Sequence, residues 1–185
     1  MKTYLALKKN TFSINNFSIV PIRHEDRFEI MKWRNEQIYH LRQNEILTEE
    51  NQERYFTDVI SKLFEQEQPN QILFSFLENN VCIGYGGLVH INWIDKNGEI
   101  SFIMNTILED EKFYAIWTTF LYLIEKVAFN ELKFHKIFTY ALDLRPKLYQ
   151  VLDDSGFIKE AILKKHCLFN SEYVNVVIHS KFREK

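Results

Sequence analysis

Residues 97–157 constrain the fold more than any other part of this chain. The segment NGEISFIMN reads as a strand, and from residue 112 the apolar positions change to a helical period. Phe113, Ile116, Trp117, Phe120, Ile124 and Val127 then share one helix face over residues 112–130, and residues 135–142 read again as a strand. A strand, a long helix and a second strand in this order predict a right-handed crossover that leaves the two strands parallel. Pro146 suits the first turn of a short helix, and Gly156 suits the residue just past its end.

The flanking sequence supplies the remaining layers. Residues 18–22 read as a first strand, followed by a helix through Phe28, Ile30, Met31 and Trp33. Thr48 starts a second helix: Glu49 and Glu50 suit its first turn, and Tyr55, Phe56, Val59, Ile60, Leu63 and Phe64 form its apolar stripe. A meander over 71–77, 81–91 and 99–104 is punctuated by Glu78-Asn79-Asn80 and Asp95-Lys96-Asn97-Gly98. Two last strands, 161–168 and 173–181, flank Asn170-Ser171-Glu172. The order β-α-α-β-β-β-α-β-α-β-β predicts an α/β (α+β) fold with a mixed sheet flanked by helices. No repeat, low-complexity tract or linker interrupts it, so residues 1–185 are read as a single domain.

Composition narrows the function classes. With 46% hydrophobic and 15% aromatic residues the chain can build a packed core, which argues against disorder. A formal net charge of −2 supplies no basic field for nucleic acid or an acidic membrane surface. The N-terminal MKTYLALKKNTFSINN lacks the apolar core of a signal peptide, and Cys82 and Cys167 are too few for a disulfide scaffold, so a cytoplasmic setting is expected. His24, His40, His135, His166 and His179 show no ligand spacing, so no metal site is expected. Gly84, Gly86 and Gly87 are three of only five glycines and fall inside one strand; a bulge, a close backbone or ligand approach, or tight packing of a helix would each explain them.

Three pieces in this order resemble the GNAT superfamily of N-acetyltransferases. They are the strand-helix-strand block, the opening IVPIRHEDRFEIMKWRN with Trp33, Arg34 and Asn35, and the ending GFIKEAILKKHCLFNSEYVNVVIHS with Glu160-Ala161, Lys164 and Tyr173-Val174-Asn175. The opening and ending are similar to the branch holding ribosomal-protein alanine acetyltransferases and amino-sugar nucleotide acetyltransferases. The resemblance covers about residues 18–182 and implies a mostly antiparallel sheet with a central, splayed parallel pair. It implies acetyl-CoA as cosubstrate, with pantetheine between the splayed strands and pyrophosphate on the following helix start, a natural anion site.

The same resemblance assigns candidate roles. Backbone N–H groups of Phe102, Ile103 and Met104 would hold the thioester and pantetheine, and the branch's glycine-rich loop aligns with Lys112, Phe113, Tyr114, Ala115, Ile116 and Trp117. Arg145 stands where an Asn is frequent. Leu152 stands where a Tyr usually protonates the thiolate, which leaves Tyr149, three residues earlier, as the candidate acid. Glu99 is the first choice for the base that frees the amine, directly or through water, and His90 is a candidate to share that role. Trp33, Arg34, Arg42, Gln43 and Tyr85 are candidates for the acceptor pocket, with Arg34 and Arg42 suited to phosphate oxygens. The implied reaction is direct acetyl transfer to a primary amine in a ternary complex, on an amino sugar carried by a nucleotide. Acetylation of a protein N-terminus and a non-catalytic GNAT-fold binding module are the alternatives. The partners implied are a small-molecule amine, with no nucleic acid and no membrane, in a monomer or homodimer.

Overall fold

The computed structural model describes residues 2–184. One eight-stranded sheet runs through them in the order β1-β2-β3-β4-β5-β6-β8-β7. Its first half is an antiparallel meander of β1 (Phe12–Ile14), β2 (Phe17–Pro21), β3 (Ile72–Glu78), β4 (Val81–Asn92) and β5 (Asn97–Met104). Its second half is β6 (Lys136–Leu142), β8 (Glu172–Phe182) and, outermost, β7 (Ile158–Phe169). The two halves join at the single parallel pairing, β5 with β6.

The helices follow the apolar stripes. Helix α1 (Arg27–Glu36) buries Ile30 and Trp33, and α2 (Glu49–Tyr55) passes through a π turn at Phe56–Ile60 into the short α3 (Ser61–Leu63). Thr48 caps α2, its hydroxyl accepting from the Asn51 amide at 3.2 Å. Helix α4 (Glu109–Glu125) is the crossover; all the face residues named above are buried, Val127 in the π turn Lys126–Glu131 that ends it. Phe102 of β5 stacks on Phe120 of α4 with ring centroids 3.9 Å apart, and Trp117 meets the same ring edge-on at 4.9 Å. Helix α5 (Pro146–Asp154) begins at Pro146 and ends at Gly156, whose φ of +78° closes the last turn.

Turn chemistry fixes the hairpins. Asn79 and Asn80 both take positive φ between β3 and β4, as do Asn170 and Ser171 between β7 and β8, the geometry whose twist matches flanking strands. The glycine cluster of β4 is explained by close backbone approach. A Cβ on Gly86 would overlap the Ser101 carbonyl oxygen, and one on Gly87 would overlap that of Ile72.

Two features had no sequence signal. The N-terminal segment is tied to β3 by Tyr4, which is buried; its hydroxyl donates to the Leu73 carbonyl at 2.8 Å and accepts from the Leu73 amide at 3.1 Å. Strand β1 adds a short outer edge. No helix among the described residues is long and apolar enough to cross a membrane.

Candidate active site

Strands β5 and β6 are hydrogen-bonded only from Asn97–Lys136 to Glu99–Phe138, after which they diverge. Beyond that point every second backbone N–H and C=O of residues 100–104 faces the gap rather than a strand, because strand groups alternate between the two edges. A cavity of about 630 Å³ fills the divergence. Its walls are Ile100 to Ile103 on one strand and Thr139 to Leu142 on the other, with Trp117 of α4 and Leu148 of α5 among the apolar linings. The Thr139 hydroxyl is buried there without a hydrogen-bond partner.

Polar side chains from four segments converge on this cavity. Glu99, buried at the strand separation, is bonded by the Arg42 guanidinium, and His90 Nε2 lies 3.9 Å from its other carboxylate oxygen. His90 reaches it because the β4–β5 register slips after Val89, where His90 takes a φ of +48°. Burial raises the Glu99 carboxyl above its ordinary range, against the opposing pull of the Arg42 and His90 charges. Arg42 also lies over Tyr140, 4.6 Å from the ring centroid. Arg34 donates to the Tyr85 hydroxyl at 2.6 Å and to Gln43 Oε1 at 2.9 Å, and Gln43 in turn donates to Asn35 Oδ1 at 3.0 Å.

The opposite end of the cavity is built differently from the expectation. Helix α4 begins at Glu109, directly after a 3-10 turn at Thr106–Leu108, so residues 112–117 lie inside it; in that turn the Ile107 amide donates to Asn105 Oδ1 and the Leu108 and Glu109 amides donate to the Asn105 and Thr106 carbonyls. Phe113, Ile116 and Trp117 are buried in the core, Tyr114 and Ala115 face solvent, and the Lys112 amine is held by Glu78 at 3.1 Å. Residues 112–117 are helical because a helix-forming sequence stands where glycines would shape a loop. At the true helix start, Arg145 is buried and bonded to Glu109, with Lys147 Nζ 3.7 Å from the same carboxylate. Arg145 also donates to His40 Nε2 at 3.0 Å; burial, and then the Arg145 charge, pulls His40 down to about 3, which keeps the imidazole a neutral acceptor.

Most of the remaining candidates can be sorted by placement. Phe102, Ile103, Arg34, Arg42, His90, Glu99 and Arg145 come together on the cavity. Trp33 does not: it is a core residue, 1% exposed, because the inner face of α1 packs on the sheet. Met104 is likewise buried, and its carbonyl accepts from Gln37 Nε2 at 2.8 Å. Tyr149 is turned away, donating to Asp143 Oδ1 at 2.7 Å and stacking on His179 with centroids 5.2 Å apart; its neighbour Leu148 faces the cavity instead. Tyr140, Thr139 and His40 were missed. The period-two alternation of β6 separates Thr139 and Tyr140 onto opposite faces and would have revealed only one of them, and no local pattern singles out His40.

The arrangement fits the thioester arm of an acyl-CoA: a gap lined by unpaired strand groups, with one buried carboxylate at its inner end. At the α4 end of the cavity Arg145 and Lys147 are both engaged by Glu109, and no glycine-shaped backbone nest is present among the described residues. Comparison with known proteins agrees on the fold. The structure is similar to spermidine N-acetyltransferase from Vibrio cholerae in complex with CoA and spermine, at 18% identity and a TM-score of 0.79, covering 91% of this chain and 96% of that one. It is also similar to a dodecameric form of that enzyme in an intermediate state, at 19% identity and a TM-score of 0.73, covering 91% and 94% of the two chains. The sequence model of the acetyltransferase (GNAT) domain matches residues 19–178. The chain therefore belongs to the GNAT acetyltransferases, acyltransferases that move an acetyl group from acetyl-CoA to an amine.

Proposed function

We propose that the acceptor is an amino sugar carried on a nucleotide, as in the amino-sugar branch of this family. The observation that supports this reading is the sign of the charges facing the cavity. Arg34 and Arg42 line its acceptor side, and Glu99, which Arg42 binds, is the only carboxylate among its lining residues. A polyamine carries several positive charges and would meet repulsion from these guanidiniums. An acceptor with phosphate groups finds donors whose planar fork matches its oxygens.

In this reading Glu99 accepts a proton from the bound ammonium, directly or through one water, and frees the nitrogen lone pair. The burial that raises Glu99 makes it a better base at neutral pH than an exposed carboxylate. The nitrogen attacks the thioester carbonyl carbon, and the negative charge that forms on the carbonyl oxygen is met by unpaired N–H groups of β5. The tetrahedral intermediate then loses its carbon–sulfur bond while the second nitrogen proton passes, directly or through water, to the departing sulfur, giving the acetamide and CoA thiol. Thr139, with its unpartnered buried hydroxyl, is a donor available to the leaving sulfur.

The test is CoA-thiol release with acetyl-CoA across nucleotide-linked amino sugars, free amino sugars, spermidine and N-terminal peptides. The nucleotide-linked compounds should show the highest kcat/KM. Preference for spermidine or for peptides would overturn the assignment.

A further inference from the structure

A second cavity, of about 410 Å³, lies between the α1–α2 layer and the sheet. It adjoins the first, and Arg34, Gln71, Val89 and Ser101 line both. Its lining differs in kind. Tyr55, Phe56 and Tyr85 supply rings, Asn51 and Gln71 supply neutral amides, and Arg34 is the only charged residue among them.

Several polar groups here keep hydrogen-bonding capacity. Tyr55 accepts from Gln71 Nε2 at 3.1 Å, and Tyr85 accepts from Arg34 at 2.6 Å, so each phenol retains its own proton for donation. Asn51 uses its oxygen to accept from Arg54 at 2.8 Å, which leaves its amide N–H groups. The volume is within the range of small-molecule sites, which combine apolar walls with a few placed polar groups.

Resting on the proposed nucleotide-linked acceptor, we infer that this second cavity is the subsite for the carrier's nucleobase. The argument is the sequence of charges along the two adjoining cavities. A carboxylate, Glu99, comes first; the guanidiniums of Arg42 and Arg34 follow; a neutral box of rings and amides comes last. A ligand that complements this order carries an ammonium at one end, an anionic link in the middle and a flat, uncharged, hydrogen-bonding heterocycle at the other. An amino sugar joined through a diphosphate to a nucleoside has that order. A polyamine would place further cations on Arg34, and a simple amino sugar would leave the second cavity unused.

Two measurements test the inference. First, UDP and GDP, which carry the base and diphosphate without the sugar, are titrated as inhibitors of the unaltered enzyme. At least one should compete with the acceptor and not with acetyl-CoA. Second, Tyr55→Leu and Asn51→Ala are assayed on a nucleotide-linked amino sugar and on the corresponding amino-sugar 1-phosphate. The KM preference for the nucleotide-linked compound should fall by about tenfold in Tyr55→Leu, the scale of one lost base–aromatic stack. A nucleotide-linked substrate that is preferred while neither diphosphate competes, and while both variants keep that preference, would overturn the base subsite and leave the acceptor assignment standing. Equal use of free and nucleotide-linked amino sugars would overturn both.

Discussion

Arg42 binds the Glu99 carboxylate while resting on the face of Tyr140, 4.6 Å from the ring centroid. The pair joins the segment after α1 to the point where β5 and β6 separate, and it controls the charge of the proposed base. Glu99 acts when deprotonated, so kcat/KM should rise with pH through its pKa. Arg42 favours the carboxylate and lowers that pKa, so Arg42→Ala should move the acid limb of the profile to higher pH. Glu99→Gln should lower turnover by about 10²–10⁴ and leave acetyl-CoA affinity nearly intact. A pH–rate profile with the same acid limb in Arg42→Ala would show that another group titrates.

Glu109 stands in the first turn of α4 and binds Arg145, so a phosphate directed to this end of the cavity would have to compete with it. Replacing it with Gln removes a carboxylate from the positive end of α4 and frees a buried guanidinium. Glu109→Gln should bind acetyl-CoA about five- to tenfold more tightly, on the scale of one charged hydrogen bond, with a steeper salt dependence. Calorimetric titration at two salt concentrations measures this. Weaker binding would show instead that Glu109 holds Arg145 in its working position.

Tyr149 is directed at Asp143 rather than at the cavity. Tyr149→Phe should therefore lower turnover by less than tenfold, about 1.4 kcal/mol of barrier. A CoA thiol is acidic enough to leave as thiolate without a dedicated acid. A far larger loss, with acetyl-CoA binding unchanged in the variant, would make Tyr149 the proton donor after all.

Two histidines make stability sensitive to acid. Burial lowers His179, whose ring nitrogens both lack partners, and burial with the Arg145 charge lowers His40 to about 3. In the unfolded chain an imidazole titrates near 6.5, so below about that pH the unfolded state binds more protons. The stability is fully present above pH 6.5 and is lost as pH falls toward the folded values. Tm should drop between pH 7 and 5, and His179→Leu should reduce the slope. An unchanged slope in thermal melts of that variant would place the sensitivity elsewhere.

Strong periodicity made most of the fold legible. The stripe from Phe113 to Val127 and the alternation of β5 and β6 were sufficient for the crossover, and Asn79-Asn80 and Asn170-Ser171 for two hairpins. The site was legible where it depends on those strands: Glu99, His90 and Arg42 meet in one cavity because β4, β5 and the segment after α1 converge there. It was illegible where an aligned motif had been rewritten. Glu109, Asp110 and Glu111 extend α4 by a turn, which moved the expected phosphate loop into a helix. Trp33 shows the other limit, since an aromatic residue beside two polar ones has the same local signature in a pocket wall and in a core.

The outer strands also determine what the sheet does not do. Strand β1 offers only three residues of open edge, and β7 carries exposed Lys159, Lys164 and Lys165, slips register twice against β8 and takes a φ of +49° at Lys165. Like charge and a broken ribbon on β7, and shortness alone on β1, work against a second sheet zipping onto either edge. Strand-by-strand growth is thus disfavoured at both edges of a sheet in a chain whose residues are nearly half hydrophobic, with the lysines of β7 placed where gatekeeper charges act.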